Sequence, residues 1–367
     1  MTILNIAVES VALYKVTRCR DKILHGCSFR KTSERTIADC LAKCLMNCTC
    51  RSFQMCGDDK TCSLCLSYNS SMVIENVKGS CGYFALERNQ EQNGAMVQKS
   101  CFRNTNCCLT SGPCLHNGRC KPSYSSDILH SPRFTCVCAP GYRGNRCEQP
   151  IKSCHGYIGG TADHAPASGK YTIIDDMDKP FLVFCDFNWT FDGAIMSWTL
   201  IQSYQLKNKD EFQLKSFYID HPKNEETPQW ESYRLSIFKM KSIQKDSSKW
   251  RMTCRYETDG LNYTDYMEGL KTKVDILSFR ENGCKEVEFI NVRGYNCTHC
   301  EAMLKQNKNR SFHHDSLHSF EDCPFKPLNS IKCDGRREDN FGLYKCINPI
   351  HRCSMDEEST SQTWLGS

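Results

Sequence analysis

The sequence predicts a multidomain, disulfide-rich fold: an α+β module, a small β module and a β-rich α+β domain. Three observations carry this. The chain has 28 cysteines in 367 residues, near the density of a disulfide scaffold. They fall into even blocks of ten (19–81), eight (101–147) and ten (154–353), as independent closed frameworks require. Short strand-like runs bounded by turn residues recur along the chain, with a short helix pattern at 36–46.

Composition narrows the class. Hydrophobic residues make up 40% and charged residues 24%, enough apolar content for cores. A net charge of +5 falls short of the concentrated basicity of a nucleic-acid binder. Only 21 glycines and no heptads exclude collagen-like and coiled-coil readings. The cytosol keeps thiols reduced, so this cysteine content points to an oxidising, extracellular compartment. Met1–Thr17 has no basic start, and Asn5, Glu9 and Ser10 interrupt its apolar residues. It does not read as a signal peptide, and an incomplete N-terminus is the expected explanation. No segment reaches the ~18 apolar residues of a membrane helix, so no transmembrane segment is expected.

After an N-terminal segment (1–18), the first module spans 19–87. Thr36–Met46 reads as a helix, with Thr36 and Asp39 as a capping-box-like start. Ile37, Leu41 and Leu45 line one face. Cys40 and Cys44 share a spacing of four, which lets both staple the helix to a sheet. Arg51–Met55, Thr61–Tyr68 and Cys81–Glu87 read as strands. The region resembles a PAN/apple domain through Cys40-x3-Cys44, Cys50-Arg-Ser-Phe, Cys62/Cys65 and Cys81-Gly-Tyr-Phe. The resemblance implies a helix pinned to a curved sheet and a module that binds proteins or carbohydrates.

A polar linker (88–103) leads to the second module, 104–148. Its cysteines at 108, 114, 120, 136, 138 and 147, with Gly118 and Pro140-Gly141-Tyr142 then Gly144, resemble an EGF-like domain. The resemblance implies the pairs Cys108–Cys120, Cys114–Cys136 and Cys138–Cys147. So small a module buries little apolar surface, and each bridge contributes typically ~2–4 kcal/mol. Gly141 and Gly144 suit turns of positive φ. No acid precedes Cys108, and Leu129 stands where a calcium-binding form carries Asn or Asp. No metal is therefore expected here. Cys101 and Cys107 either pair with each other or bridge to a neighbour.

The third domain spans 151–367. Tyr171–Ile174, Phe181–Phe184 and Trp198–Gln202 are β-rich. Its opening resembles a fibrinogen-related domain through Cys154, Ser168-Gly169-x-Tyr171-x-Ile173, Pro180-x-x-Val183-x-Cys185-Asp186 and Trp198-Thr199-Leu200-Ile201-Gln202. The resemblance implies a Cys154–Cys185 bridge. The family's glycine triplet is replaced by Gly193-Ala-Ile-Met-Ser-Trp198, and no downstream aspartate cluster matches its calcium loop, so neither a calcium nor a sugar site is carried over. Beyond Gln202, Tyr233–Phe238, Trp250–Tyr256 and Val287–Val292 read as strands.

Candidate chemistry is sparse. Cys297-Thr-His-Cys300 sits between a strand-like run and a helix-like run (300–307), the setting of a thiol oxidoreductase, but structural disulfides are the expected role. Zinc held by these cysteines with His299, His313 or His314 is disfavoured where thiols oxidise. His313-His314-Asp315 reads as a polar loop. Lys239, Lys241, Lys245, Lys249 and Arg251 have one acid among them, Asp246. They read as a solvated face, with polyanion attraction as the sharper alternative. Six sequons occur. Asn69, Asn188, Asn262 and Asn309 are the expected glycosylation sites, and Asn47 and Asn296 are set aside because cysteines adjoin them.

These readings converge on a secreted, non-enzymatic modular glycoprotein for recognition or adhesion. It would bind protein or glycan ligands non-covalently, with a lectin-like third domain and no cofactor. The alternatives are a structural component of the extracellular matrix and an oxidoreductase using Cys297 and Cys300.

Overall fold

A computed structural model of the chain describes residues 2–4, 14–20, 22–24, 28–47, 50, 52–56, 60–65, 74–76, 81–88, 112–122, 134–158, 165–189, 193–316, 323–327, 332–333, 336–337 and 339–367. The described chain is disulfide-rich and mostly β, with few helices. It divides into two compact units. The first comprises Met1–Ala139 and Arg143–Glu148, the second Pro140–Tyr142 and Gln149–Ser367.

In the first unit, Thr2–Leu4 (β1), Tyr14–Arg20 (β2), Ser28–Ser33 (β4), Ser52–Cys56 (β5), Thr61–Cys65 (β6) and Gly82–Arg88 (β8) form one sheet in the order β1-β2-β8-β5-β6-β4. Lys22–Leu24 (β3) pairs separately with Ile74–Asn76 (β7). Ile37–Met46 is the helix α1. Thr36 Oγ1 accepts from the Asp39 amide at 3.1 Å, and the Thr36 amide donates back to Asp39 Oδ2 at 3.1 Å. This reciprocal pair satisfies two donors that a helix start leaves over. Cys40 bonds Cys62 on β6, and Cys44 bonds Cys50, so the inner face of α1 is covalently held. Leu41 packs in one cluster with Phe53 and Phe84, whose rings stack at 4.7 Å.

Farther along the same unit, Arg119–Pro122 (β9) pairs with Phe134–Val137 (β10), placing Cys120 opposite Cys136. Cys114 bonds Cys136 and Cys138 bonds Cys147. Phe134 is the buried apolar residue, packed on Cys114, Cys120 and Cys136. Arg146 ties the ends together: its Nε donates to the Pro113 carbonyl at 2.7 Å, and its carbonyl accepts from the Leu115 amide at 2.7 Å. Gly144 has φ of 98°, a turn geometry that a side chain would strain. The two-residue strands Tyr142–Arg143 (β11) and Gln149–Pro150 (β12) lie where the chain passes between the first unit and the second.

The second unit is a ten-stranded antiparallel sheet. Its strands are Gly169–Ile174 (β13), Pro180–Trp189 (β14), Ile195–Gln205 (β15), Ser232–Arg234 (β16), Lys249–Cys254 (β17), Tyr266–Leu270 (β18), Asn282–Val292 (β19), Tyr295–Asn307 (β20), Arg310–His314 (β21) and Thr360–Gly366 (β24). Lys332–Cys333 (β22) and Arg336–Arg337 (β23) pair apart. The order is β13-β14-β15-β24-β17-β18-β19-β20-β21, with β16 also on β15. The last strand of the chain therefore lies at the centre, between β15 and β17. Lys209–Phe212 (α2), Ile237–Gln244 (α3) and Tyr256–Asp259 (α4) are short helices.

One buried core runs through this unit, containing Trp198, Trp250 and Trp364. Disulfides Cys154–Cys185, Cys254–Cys353 and Cys284–Cys323 brace it. Arg234 is fully buried and, among the described residues, pairs with no carboxylate. Its amino groups donate to the carbonyls of Lys215, Ser216 and Ile219 and to Gln202 Oε1. Burial lowers its pKa to about 10, still far above neutrality, so the charge persists and organises the 206–232 segment.

Four sequence expectations are corrected. The run 300–307 is strand, not helix: Ala302, Met303 and Leu304 are buried in β20, which pairs with β19 and β21 on either side. Helix-favouring Ala, Met, Leu and Lys yield there to tertiary pairing. The strand expected at 233–238 ends at Arg234, and Ile237 begins α3. His313, His314 and Asp315 are buried rather than looped in solvent. The basic cluster is a solvated face only at Lys241 and Lys245, which are exposed. Lys239 pairs with Glu226 at 2.7 Å and lies 4.9 Å from the Phe181 ring, Lys245 pairs with Asp176, Lys249 with Glu268, and Arg251 is fully buried.

Gly269 lies against the Trp250 ring: a Cβ there would fall 2.4 Å from Trp250 Cζ2. The ring is itself fixed by its Nε1 donating to the Val274 carbonyl at 2.8 Å. Gly269→Ala is expected to destabilise this unit by about 1–3 kcal/mol through overpacking, read as a lowered urea midpoint with unchanged slope.

Candidate functional site

The strand register brings side chains of two neighbouring rows together on the second sheet. Asp186 on β14 stands opposite Trp198 on β15. Arg251 on β17 stands opposite Trp364 on β24 and opposite Glu268 on β18. Glu268 faces Phe289 on β19, which faces Thr298 on β20.

Arg251 is the centre of this arrangement. One amino nitrogen pairs with Asp186 Oδ2 at 2.6 Å. Among the described residues no oxygen accepts from its Nε or its other amino nitrogen. The rings of Trp198 and Trp364 lie 4.5 and 4.8 Å from its Cζ instead, a desolvated cation–π arrangement. Asp186 Oδ1 accepts from Tyr256 at 2.5 Å and from Ser168 at 2.8 Å. Burial alone would raise the Asp186 carboxyl, but Arg251 and these hydroxyls outweigh it and hold it below its ordinary value. The Tyr256 hydroxyl is raised by burial and by the Asp186 charge beside it.

Half-buried rings cover this ion pair. Phe184 lies 4.8 Å from Trp230, Trp230 lies 5.7 Å from Tyr256, and Tyr256 lies 4.9 Å from buried Trp364. Farther along the Arg251 row, exposed Tyr263 meets Tyr266 at 5.0 Å and Phe289 at 6.2 Å. Tyr266 donates to Glu268, which also pairs with Lys249. Flat apolar rings with donors and acceptors at their rims can hold a sugar face or a peptide side chain without covalent chemistry. The cleft lined by Gln202, Tyr204, Tyr344, Ser361 and Thr363 has room for about one water, too little for such a ligand.

A second charge group lies beside β20 and β21, where Lys305 of β20 meets residues of the segments that follow β21. Lys305 pairs with Asp315, and Lys345 lies 3.2 Å from Asp339. Burial and the neighbouring Asp315 raise the Asp339 carboxyl above its ordinary value. Burial lowers His313 to about 4, leaving it neutral, and its Nδ1 donates to the Ser311 carbonyl.

The residues singled out from sequence do not converge on one place. Cys114, Cys136, Cys138, Cys147, Cys154 and Cys185 stand in the disulfides given above, and Cys120 is disulfide-bonded. Cys108 and Asn69 lie outside the described residues. Asn188 is half-buried on β14, whereas Asn262 and Asn309 are exposed. Cys297 and Cys300 bond each other within β20, with no helix N-terminus to stabilise a thiolate. Sequence reading missed Trp230, Tyr256 and Tyr263. Large aromatics in otherwise polar stretches were the available signal.

Asp186→Asn would leave the Arg251 charge buried and unpaired. The expected loss is about 3–5 kcal/mol, measured by chemical denaturation with disulfides intact. The Asp339 carboxyl has the opposite sense. Its folded pKa is raised, so the folded state holds a proton that the unfolded state releases above about pH 4. Its contribution is therefore present below that pH and lost as pH rises through the raised value. Asp339→Asn should gain stability relative to the parent as pH rises from 4 to 8, read from paired thermal melts.

The family description "EGF-like domain" matches residues 108–146. Protein crumbs homolog 1 of Mus musculus is 35% identical over 81 residues, which are 22% of this chain and 5% of that protein. The chain thus matches only a small part of the length of that relative. Residues 108–146 are an EGF-like domain.

Proposed function

We propose that this chain is an extracellular recognition or adhesion protein that binds protein or glycan ligands non-covalently. The EGF-like domain carries the reading: it is a disulfide-held module suited to an oxidising compartment. In this reading a PAN/apple-like module (19–87) and a linker (88–103) precede the EGF-like module (104–148). A divergent fibrinogen-related domain (151–367) follows and acts as the lectin-like head. The N-terminal segment is 1–18. Disulfides that prestiffen each module limit the ordering entropy lost on binding. Exposed Asn262 and Asn309 are the favoured glycan acceptors. Among the described residues no helix is long and apolar enough to cross a membrane.

The binding surface in this proposal is the aromatic face of Phe184, Trp230 and Tyr256 over the Asp186–Arg251 pair. Trp230 supports it best, being a half-buried ring in contact with both Phe184 and Tyr256. An oxidoreductase role for Cys297 and Cys300 gains no support from a disulfide inside a strand.

The test is a glycan and extracellular-protein array probed with the full secreted chain. Trp230→Ala should weaken the best ligand by about tenfold, equivalent to ~1.4 kcal/mol, with its melting profile retained. Unchanged affinity in a folded variant would remove this face from the proposal.

A further inference from the structure

The hairpin of β19 and β20 carries a group of ligand-type side chains that the aromatic face does not use. Glu286 and Glu288 lie on β19 and His299 lies on β20. One ligand atom from each lies within 4.8 Å of the others. His299 Nδ1 is 3.6 Å from Glu288 Oε1. That is too long for a hydrogen bond, yet close to the edge between two ligands around an ion with bonds of ~2.0–2.1 Å. The imidazole is 66% exposed, so it is open to solution.

The covalent frame sets this imidazole in place. Cys297 and Cys300 are bonded to each other on either side of it, and His299 adopts φ of 49°. Glu288 and His299 fall between the cross-strand pairs Val287–Cys300 and Phe289–Thr298. The thiols that sequence spacing offered as partners are thereby occupied, and carboxylates take their place beside the histidine.

Charge favours a cation here. Glu286 stands directly across from Glu301, and like charges in that relation repel. Lys273 lies 2.7 Å from Glu286, and Lys249 is shared between Glu268 and Glu288. Four carboxylates thus meet two ammonium groups. Lys273 is half-exposed and can swing into solvent when an ion arrives. One imidazole with two carboxylates is a donor set for zinc-like divalent ions, whereas calcium takes oxygen alone.

We propose that Glu286, Glu288 and His299 form a surface site for a zinc-class divalent cation, with coordination positions left for solvent or a ligand. The probe is Co²⁺ added to the full disulfide-intact chain. The proposal expects visible absorption bands that saturate at one ion per chain and are displaced by Zn²⁺ but not by Ca²⁺. His299→Asn should weaken Zn²⁺ binding in calorimetry by at least about tenfold. Asparagine tolerates the left-handed backbone at this position, so the variant keeps the fold, checked by its melting profile. His155→Asn, at an exposed histidine elsewhere, should bind as the parent does. Absence of Co²⁺ bands, equal displacement by Ca²⁺, unchanged binding in His299→Asn, or equal loss in His155→Asn would each overturn the site.

Discussion

The second unit depends on one buried cation. Arg251 sits at the centre of its sheet, fully enclosed, between two tryptophan rings and against one aspartate. Removing a guanidinium from water is costly, and the Coulomb attraction compensates only when geometry and hydrogen bonds are complete. Here the single Asp186 pair from β14 is supplemented by rings rather than further oxygens, Trp198 from β15, Trp364 from β24 and Tyr256 from the helix after β17. Three separate stretches of the chain, the β14–β15 hairpin, β17 with the helix after it, and β24, must therefore be in register before the charge is tolerated. The same condition brings Trp230 and Phe184 over the pair and creates the aromatic face proposed for recognition.

The strand that makes this possible is the least obvious one. Thr360–Gly366 is rich in Ser, Thr and Gln, yet all seven of its residues are buried. Its polar groups are bonded within the sheet and to Glu257 and Tyr344 beside it. Thr253 donates to Gln362 at 2.9 Å, Trp364 donates to Thr253 at 2.9 Å, and Gln362 donates to Thr360 at 2.7 Å. Buried polar networks are tolerated when complete and specify a single arrangement. The centre of this sheet is thus closed by pairing β24 with β15 and β17, which lie far earlier in the chain. Such non-local closure is entropically slow, and the Cys254–Cys353 disulfide links β17 to the segment just before β24.

Charge is handled by local pairing throughout the unit. The basic run 239–251 reads from sequence as a solvated face, but Lys239, Lys245, Lys249 and Arg251 meet Glu225, Glu226, Asp176, Glu268 and Asp186. Those acids come from other segments, so a sequence window over the lysines counts only half of the charges. The opposite excess arises on the β19–β20 hairpin. There the register places glutamates across from one another and beside a histidine.

Sequence by itself determined the features whose physics is local. The capping box of α1 needs only Thr36 and Asp39 three residues apart. The EGF-like domain is legible because closely spaced cysteines define a small loop set. Strands β13, β14 and β15 follow from β-branched and aromatic runs between turns. Tertiary structure decided what depends on pairing partners far along the chain. It turned the helix-favouring run at 300–307 into a strand paired on both sides, buried His313 and His314, and drew the polar strand β24 into the middle of the sheet. It also joined Asp186 to Arg251 across 65 residues. Local propensities are worth tenths of a kilocalorie per residue, whereas enclosing an unpaired charge costs several. Where the two compete, the partner that neutralises the charge decides the fold.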